Sequence, residues 1–580
     1  MGSQKAQDRT HAASPEWTTA ASGPPMNFHS SQPDTLSTTL EAAATRWGNA
    51  TFLLFGDKRM SYSELDLASR RVAQGLAGLG LGKGDRIGLL ALNCPEWLVL
   101  FFACARLGAV AVAMSPRYRA GELGHILRDS SVKAVATISE HEGCDFPALF
   151  SQLAADLPLL EHLILLSGST RSADTGRLRC IPYARLEEGS GPANLPASDE
   201  TVQGEDLAMV IYTSGTTGRP KGAGLSHRSM LAAAWAQANH MRITEDDLLP
   251  LPSPLNHVAG ITCGVLALLV GGGRIDLLPE FKAAQVLERI RLHRPTLLAG
   301  VPTMMTLILM HAQDIDFSSL RLAFIGGSSV DPTLLAALQK RMPGATLMNL
   351  YGLSETSGAI VITPWKASDD DLMRTIGVPI GDAQVRVVAP GGVAAIAPGQ
   401  VGELCFRSSS VAPGYVGAAH SSDAFLADGW LRTGDLGQVD TRGVITLRGR
   451  AKDMYIQGGF NVYPAEVEAH IARHPEVLMV AGIGVPDPVL GEIGHFFVVR
   501  KPGSHVTAEA LRAWCADGLA DYKIPRRVEF REELPLTPAG KIHKAALRTD
   551  EHGAGGRAAG ALPTGSDTRN NPVDPAANSG

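Results

Sequence analysis

Apolar residues recur along this chain with two alternating textures. Between residues 63 and 79, Leu65, Leu67, Ala68, Val72, Ala73 and Leu76 fall at near-helical spacing, which predicts a helix with one apolar face. The run Arg86-Ile87-Gly88-Leu89-Leu90-Ala91-Leu92 that follows has no polar alternation and predicts a strand buried on both faces. The pattern then repeats. Leu207-Ala208-Met209-Val210-Ile211 and Thr296-Leu297-Leu298-Ala299-Gly300-Val301 predict buried strands, the second ended by Pro302, while residues 230–240 and 284–292 predict helices. Such alternation predicts α/β architecture, with parallel sheets covered by helices. After Gly377 the texture shifts to short strands and turns, such as Val385-Arg386-Val387-Val388 and Gly402-Glu403-Leu404-Cys405-Phe406, predicting a small β-barrel-like subdomain.

Two apolar stretches need a decision about membranes. Residues 97–114 are broken by Arg106 and Gly108 and predict a buried helix running into the strand Ala109-Val110-Ala111-Val112-Ala113. Residues 259–270 are short for a bilayer and end in Gly271-Gly272-Gly273, so no integral membrane segment is expected. With 580 residues the chain exceeds what one hydrophobic core holds, and two or more domains are expected. A formal net charge of −6 gives no basic footprint, which argues against nucleic acid as a partner. Cys94, Cys104, Cys144, Cys180, Cys263, Cys405 and Cys515 are scattered and odd in number, which suits a reducing cytoplasm and not a zinc site.

Residues 1–27 are polar, rich in Ala, Ser and Pro, and lack the apolar run of a secretory signal, so a disordered leader is expected, with Met26 an alternative start. Residues 551–580 are dominated by Gly, Ala, Pro and Asn and are expected to be a disordered tail. The tail ends Asn578-Ser579-Gly580, which is not a peroxisomal Ser-Lys-Leu address.

The densest chemistry lies in Tyr212-Thr213-Ser214-Gly215-Thr216-Thr217-Gly218-Arg219-Pro220-Lys221-Gly222. Glycines let backbone N–H groups crowd an anion, hydroxyls add donors and Lys221 supplies a compact positive charge, so the loop reads as a phosphate site after a buried strand. Pro220 before Lys221 departs from the common P-loop pattern. The run from Gly75 to Gly84 likewise fails the dinucleotide pattern, because Lys83 and Asp85 stand where a third glycine would fall.

The loop resembles the Ser/Thr/Gly-rich signature of the adenylate-forming superfamily, which includes acyl-CoA synthetases, beetle luciferases and peptide-synthetase adenylation domains. Four further segments resemble that family in its order, over about residues 36–548. Tyr351-Gly352-Leu353-Ser354-Glu355 resembles its aromatic-Gly-x-Thr-Glu motif, with Ser354 in place of Thr. By resemblance Tyr351 packs on adenine, and Glu355, with Thr217, holds Mg²⁺. Thr433-Gly434-Asp435 resembles the ribose motif, whose acid accepts both ribose hydroxyls; an ionised carboxylate can serve two donors. Arg450-Ala451-Lys452-Asp453, followed by Gly458-Gly459, resembles the hinge and the loop beyond it. The resemblance makes Arg450 a nucleotide contact, Lys452 the hinge and Gly458-Gly459 the lining for the thiol arm of coenzyme A. Pro535-Leu536-Thr537-Pro538-Ala539-Gly540-Lys541 resembles the C-terminal motif whose lysine, here Lys541, is catalytic through electrostatic positioning.

Phe324-Ile325-Gly326-Gly327-Ser328-Ser329 looks at first like a carrier-protein serine site. Its place between a strand and the Tyr351 motif matches the family's adenine-side loop instead, with Gly327 and Ser328 at the nucleotide. Pro252-Ser253-Pro254-Leu255-Asn256-His257-Val258-Ala259-Gly260 resembles the border of the acyl pocket, with His257 at the carboxylate end or, on its residue type alone, a structural histidine. Amino-acid-activating relatives carry an Asp where this chain has Val258, so a substrate ammonium would be buried without a partner. Ala259, Gly260, Gly326 and Gly327 are expected to leave room for a bulky apolar group.

The resemblance implies a large N-terminal domain of stacked, mostly parallel sheets, residues 28–450, and a small mobile α+β lid, residues 451–550. It implies ATP, Mg²⁺ and coenzyme A, and conversion of an apolar carboxylic acid, fatty or cyclic/aryl, to acyl-AMP and then acyl-CoA in the cytoplasm. An acyl-AMP ligase serving a separate carrier protein and a luciferase-like oxygenase are the alternatives, and a homodimer is the assembly held open.

Overall fold

A computed structural model describes residues 34–166, 177–189, 202–213, 220–327, 330, 332–389, 391–417, 424–426, 428–537 and 540–549. The expected leader and tail lie outside these residues, as do residues 214–219 and Ser328. The largest sheet has eight strands in the order Gly414–Tyr415, Lys221–Ser226, Leu207–Thr213, Val110–Met114, Arg86–Leu90, Ala134–Thr137, His162–Leu165 and Arg179–Pro182. The pairings from Leu207–Thr213 to Arg179–Pro182 are parallel, and the two that attach Lys221–Ser226 and Gly414–Tyr415 are antiparallel. A five-stranded sheet begins with parallel Leu297–Gly300, Leu322–Gly326 and Thr346–Leu353 and finishes with antiparallel Gly358–Ile362 and Val378–Pro379.

Local signals explain where the covering helices start and stop. Helix Tyr62–Gly78 begins at a capping box in which Ser61 and Glu64 satisfy each other's backbone N–H groups. Helix Pro95–Leu107 has proline in its first turn and ends at Gly108 in the left-handed conformation, φ 67°. Residues Trp97 through Arg106 of this helix are all buried, which accounts for its apolar sequence on every side. Arg106 is tolerated there because its guanidinium meets Glu41, Asp66 and Ser69. The helix expected from residue 230 starts earlier, at His227, because the Ser226 and Ser229 hydroxyls cap it. The apolar stretch after His257 is an α-turn, Val258–Gly260, a π-helical segment, Ile261–Leu266, and a last turn, Ala267–Gly271, stopped by Gly272 at φ 85°. Among the described residues no helix is long and apolar enough to cross a membrane.

The β-rich region after Gly377 is a four-stranded antiparallel sheet, Gln384–Val388, Gly402–Arg407, Leu431–Val439 and Ile445–Arg450. From Tyr455 onward the strands pair among themselves: Phe460–Val462, Tyr455–Gln457, Gly491–Arg500 and Val477–Asp487, with Arg527–Arg531 added in parallel. Gly377 joins the five-stranded and four-stranded sheets. Its carbonyl accepts the Ile445 N–H at 2.8 Å, and its φ of 100° is a glycine conformation. A Cβ at this position would lie 2.3 Å from the Ile362 carbonyl. Gly377→Ala is expected to lower stability by at least ~2 kcal/mol through strain and collision together. Urea unfolding checks it, as a lower midpoint at unchanged slope.

Candidate active site

Three sheets deliver side chains to one place. Tyr351 comes from strand Thr346–Leu353, and its phenol Oη donates to Asp435 Oδ2 at 2.7 Å. Asp435 lies on strand Leu431–Val439 directly opposite Arg450, whose Nε donates to Asp435 Oδ1 at 3.0 Å. Asp435 is only 3% exposed, and burial raises its pKa against the pull of Arg450 and the Tyr351 hydrogen bond. Each carboxylate oxygen retains a second lone pair, so a diol could be added without displacing either partner.

The turn that carries Asp435 is fixed from below. Gly434, at φ 70°, donates its N–H to Glu403 Oε1 at 3.1 Å, and Glu403 Oε2 takes the Arg432 Nε at 3.0 Å. Thr433 Oγ1 donates to the Leu404 carbonyl at 2.7 Å and accepts the Asp435 N–H at 3.0 Å. Buried Glu403 was not singled out in the sequence; its only signal there is an acid in an apolar strand.

Strands Leu207–Thr213 and Lys221–Ser226 form an antiparallel hairpin in which Thr213 faces Lys221. The expected phosphate-loop residues Ser214, Gly215, Thr216 and Thr217 fall outside the described residues, but both ends of the loop are placed. A His125 ring nitrogen meets the Pro220 carbonyl at 3.0 Å, and Tyr212 Oη donates to Asp129 Oδ2 at 2.7 Å, so helix Ala120–Asp129 braces both legs of the hairpin. Glu355 sits in a 3₁₀ turn, Ser354–Thr356, at the end of the Tyr351 strand. Its Oε1 accepts the Tyr415 hydroxyl at 2.7 Å, and the Tyr415 ring centroid is 5.6 Å from Lys221 Nζ. His125 and Tyr415 also escaped the sequence reading, since neither stands in a recognisable motif.

Lys541 reaches this group from the small domain. Its hairpin closes through Thr537 N–H to the Lys541 carbonyl at 2.6 Å and Lys541 N–H to Thr537 Oγ1 at 3.1 Å. A Cβ on Gly327, φ 86°, would stand 3.0 Å from Lys541 Cε and 3.1 Å from Val301 Cγ1, so the lysine occupies the space that a side chain at Gly327 would need. Burial, helped by the Arg450 charge, pushes the Lys541 amine down to about 8, while Asp435 and Glu355 pull the other way. His257 is close enough to feel that lysine: burial first, and the Lys541 charge second, push its pKa down to about 3. The ring is therefore neutral. Its Nδ1 accepts the Ala259 N–H at 3.2 Å, which leaves the proton on Nε2 as a donor.

The remaining expected residues are less central. Gly458 and Gly459, at φ 58° and 87°, form an exposed turn, and the Gly458 N–H donates to the Leu490 carbonyl at 2.9 Å. They belong to the sheet of the small domain and touch none of the residues grouped round Lys541 among the described contacts. Lys452 is exposed on the turn between the last two sheets, beside Asp453, which pairs with Arg548 at 2.8 Å. The expectation that small residues open a pocket needs correction at two positions. A Cβ on Gly260 would lie 2.1 Å from the Pro254 carbonyl oxygen, and one on Gly326 2.7 Å from that of Leu350. Their smallness is consumed by backbone packing. Gly352 is similar, with the Gly358 carbonyl 2.0 Å from its would-be Cβ. Val258 is buried, Ala259 keeps partial exposure and Gly327 is exposed.

Residues 40–416 match the family model described as AMP-binding enzyme, and residues 466–541 match that of the AMP-binding enzyme C-terminal domain. The chain belongs to the AMP-binding enzyme family. It stands in the CoA-ligase branch of the adenylate-forming superfamily. Feruloyl-CoA synthase of Amycolatopsis sp is 34% identical over 86% of this chain and 96% of that protein. A long-chain-fatty-acid–CoA ligase of Escherichia coli O157:H7 is 32% identical over 88% and 94%. Among solved structures, the anthranilate CoA ligase AuaEII in complex with anthranoyl-AMP aligns with a TM-score of 0.82 at 27% identity, covering 90% of this chain and 99% of that one. The homodimer expectation finds no support in these relatives.

The seating of Lys541 in this AMP-binding enzyme can be read directly. In nucleotide-free protein its labelling by an amine-reactive reagent should reach half-maximum near pH 8, whereas an exposed lysine keeps gaining reactivity to ~10.4. Gly327→Ala should displace the side chain toward water and move that midpoint upward. Mass spectrometry of the Lys541 peptide measures both, and an identical midpoint in the variant would show that the lysine does not lie against Gly327.

Proposed function

We propose that this enzyme activates an apolar carboxylic acid with ATP and transfers the acyl group to coenzyme A, using the cluster round Asp435 and Lys541 for the first step. The observation that carries the reading is the seat of Lys541 against Gly327, within the electrostatic reach of Asp435, Glu355 and Arg450. On this reading a cation of the C-terminal region stands where a triphosphate, an acid and a ribose converge.

In the first half, the acid's carboxylate oxygen attacks the α-phosphorus of ATP, the bond to the β-phosphate breaks and pyrophosphate leaves. Tyr351 offers a ring face for adenine, with Gly327 beside it; Ser328, outside the described residues, is assigned to the nucleotide by resemblance. Asp435 accepts the ribose hydroxyls, and the Arg450 charge favours its ionised form against the burial that raises its pKa. Lys541 stabilises charge between the acid and the α-phosphate as the new bond forms, and Lys221 does the same further along the triphosphate. Glu355 fits Mg²⁺ by its chemistry: a half-buried carboxylate whose Oε1 is fixed by Tyr415 and whose Oε2 has no hydrogen-bond partner among the described residues. When bound, the cation supplies neutralisation of the triphosphate. Thr217 would complete that site. In the second half the small domain turns about Lys452, bringing Gly458-Gly459 to the acyl-adenylate, and the thiol of coenzyme A attacks the acyl carbonyl to release AMP.

His257, neutral and with Nε2–H free to donate, suits the acid's carboxylate end. Buried Val258 offers no counter-charge for an ammonium, so fatty, cyclic and aryl acids fit better than amino acids. Seven free thiols suit the cytoplasm.

The test is release of pyrophosphate and AMP across fatty, cyclohexane, benzoic and amino acids, each with and without coenzyme A. Turnover that requires both an apolar acid and coenzyme A supports the reading; pyrophosphate release that coenzyme A never accelerates would replace it with an acyl-AMP ligase serving a protein acceptor. Lys541→Ala should cut acid-dependent pyrophosphate release by ~10²-fold or more, the scale of losing one aimed transition-state donor. The same variant should form thioester from supplied acyl-AMP at nearly the unaltered rate, and equal loss in both halves would remove Lys541 from the adenylation role.

A further inference from the structure

The short segment from Ala412 to Val416 ties together two parts of the site that the chain otherwise delivers separately. At one end the Ala412 N–H donates to the Glu355 carbonyl at 2.8 Å. At the other, Gly414 and Tyr415 pair with Gly224 and Ala223 on the strand that begins at Lys221, and the Val416 N–H donates to the Gly222 carbonyl at 2.8 Å. Tyr415 stands between. Its hydroxyl donates to Glu355 Oε1 at 2.7 Å and its ring lies 5.6 Å from the Lys221 ammonium.

The chemistry of that placement is specific. Glu355 has three cations in its surroundings: Lys221 across the Tyr415 ring, and Arg450 and Lys541, both of which feel its charge. A carboxylate so placed would swing to pair with one of them, consuming both the acid and a cation meant for phosphate. Tyr415 prevents this with a neutral donor. A carboxylate oxygen can only accept, so the phenol that faces it is the donor. One carboxylate oxygen is thereby fixed and the other is left for a cation, while the ring keeps Lys221 at a distance and offers its face to the ammonium.

We infer that Tyr415 is a positioning residue for the metal–triphosphate end of the site, holding Glu355 and Lys221 apart so that one meets Mg²⁺ and the other phosphate. The inference rests on the ATP-dependent function proposed above, but its test uses binding alone. Affinities of the full-length enzyme for AMP, for ATP with a chelator and for ATP with Mg²⁺ are measured by calorimetry, without acid or coenzyme A. In Tyr415→Phe, which removes one oxygen and keeps the ring, the gain in ATP affinity on adding Mg²⁺ should shrink about tenfold or more, the scale of a hydrogen bond to a charged group. AMP affinity should be unchanged. Tyr415→Leu, which also removes the ring, should additionally weaken metal-free ATP.

A retained Mg²⁺ gain in Tyr415→Phe overturns the inference. So does a parallel loss of AMP, ATP and metal–ATP binding, which a merely structural role would produce, and so does an unaltered enzyme that shows no Mg²⁺ gain at all. Failure of the proposed function is separate: it would appear as normal nucleotide binding with no acid- and coenzyme-A-dependent turnover.

Discussion

The buried carboxylate of Asp435 is the constraint round which the site is assembled. A lone carboxylate on a residue only 3% exposed is disfavoured in a protein interior, and it is tolerated here only because Tyr351 and Arg450 each take one of its oxygens. Those partners come from different sheets, so the ion cannot be satisfied unless the five-stranded and four-stranded sheets are both formed and docked. Gly377, stitched to Ile445, makes that docking possible. Glu403 and Arg432 then lock the turn beneath Asp435, and the chain leaves the site through Arg450 directly into the turn bearing Lys452, the proposed hinge. Nucleotide contact, sheet docking and hinge are, on that reading, consecutive in both sequence and space.

Charge also links the two domains. Lys541 is seated where burial and Arg450 disfavour its ammonium, with Asp435 and Glu355 only partly offsetting them. On the proposed reading, a bound triphosphate adds negative charge beside this lysine and strengthens the closed position of the small domain. Departure of pyrophosphate removes much of that attraction. The same interactions that help the first half-reaction therefore weaken once it is complete, which favours release of the domain at the point where Gly458-Gly459 must approach. A ligand moves such an equilibrium only through its unequal affinity for the two positions, and the charge on Lys541 provides that inequality.

The alternating helices and strands were legible in the sequence because each is set by local periodicity and local caps. Boundaries slipped where a cap was a hydroxyl pair, as at Ser226 and Ser229, or where the backbone left α geometry, as in the π-helical segment Ile261–Leu266. Tyr351, Glu355, Asp435, Arg450 and Lys541 could be named in advance because they sit in family motifs, and the structure brings them together. The supporting residues could not. Tyr415 meets Glu355 across 60 positions of sequence and His125 meets Pro220 across 95, and no composition or spacing announces such a pairing. Gly260 and Gly326 misled for a related reason: a glycine's small size reads as open space until the backbone that fills it is known.

On the proposed reading, the acid-binding side is built on a different principle from the nucleotide side. A nucleotide lacking a ribose hydroxyl would, on that reading, leave the buried Asp435 carboxylate short of a partner, so discrimination there can be large. His257 offers one neutral Nε2–H, and the adjoining position is buried Val258. Recognition of the acid beyond its carboxylate must then come from shape. Each methylene gained or lost in an apolar pocket changes binding by only ~1–3 kcal/mol, so selectivity among acids is graded rather than absolute. That asymmetry is consistent with relatives named for groups as different as feruloyl and long-chain fatty acyl at 34% and 32% identity to this chain. On that reading the nucleotide half is constrained by charge that must stay paired, and the acyl half is free to vary by volume.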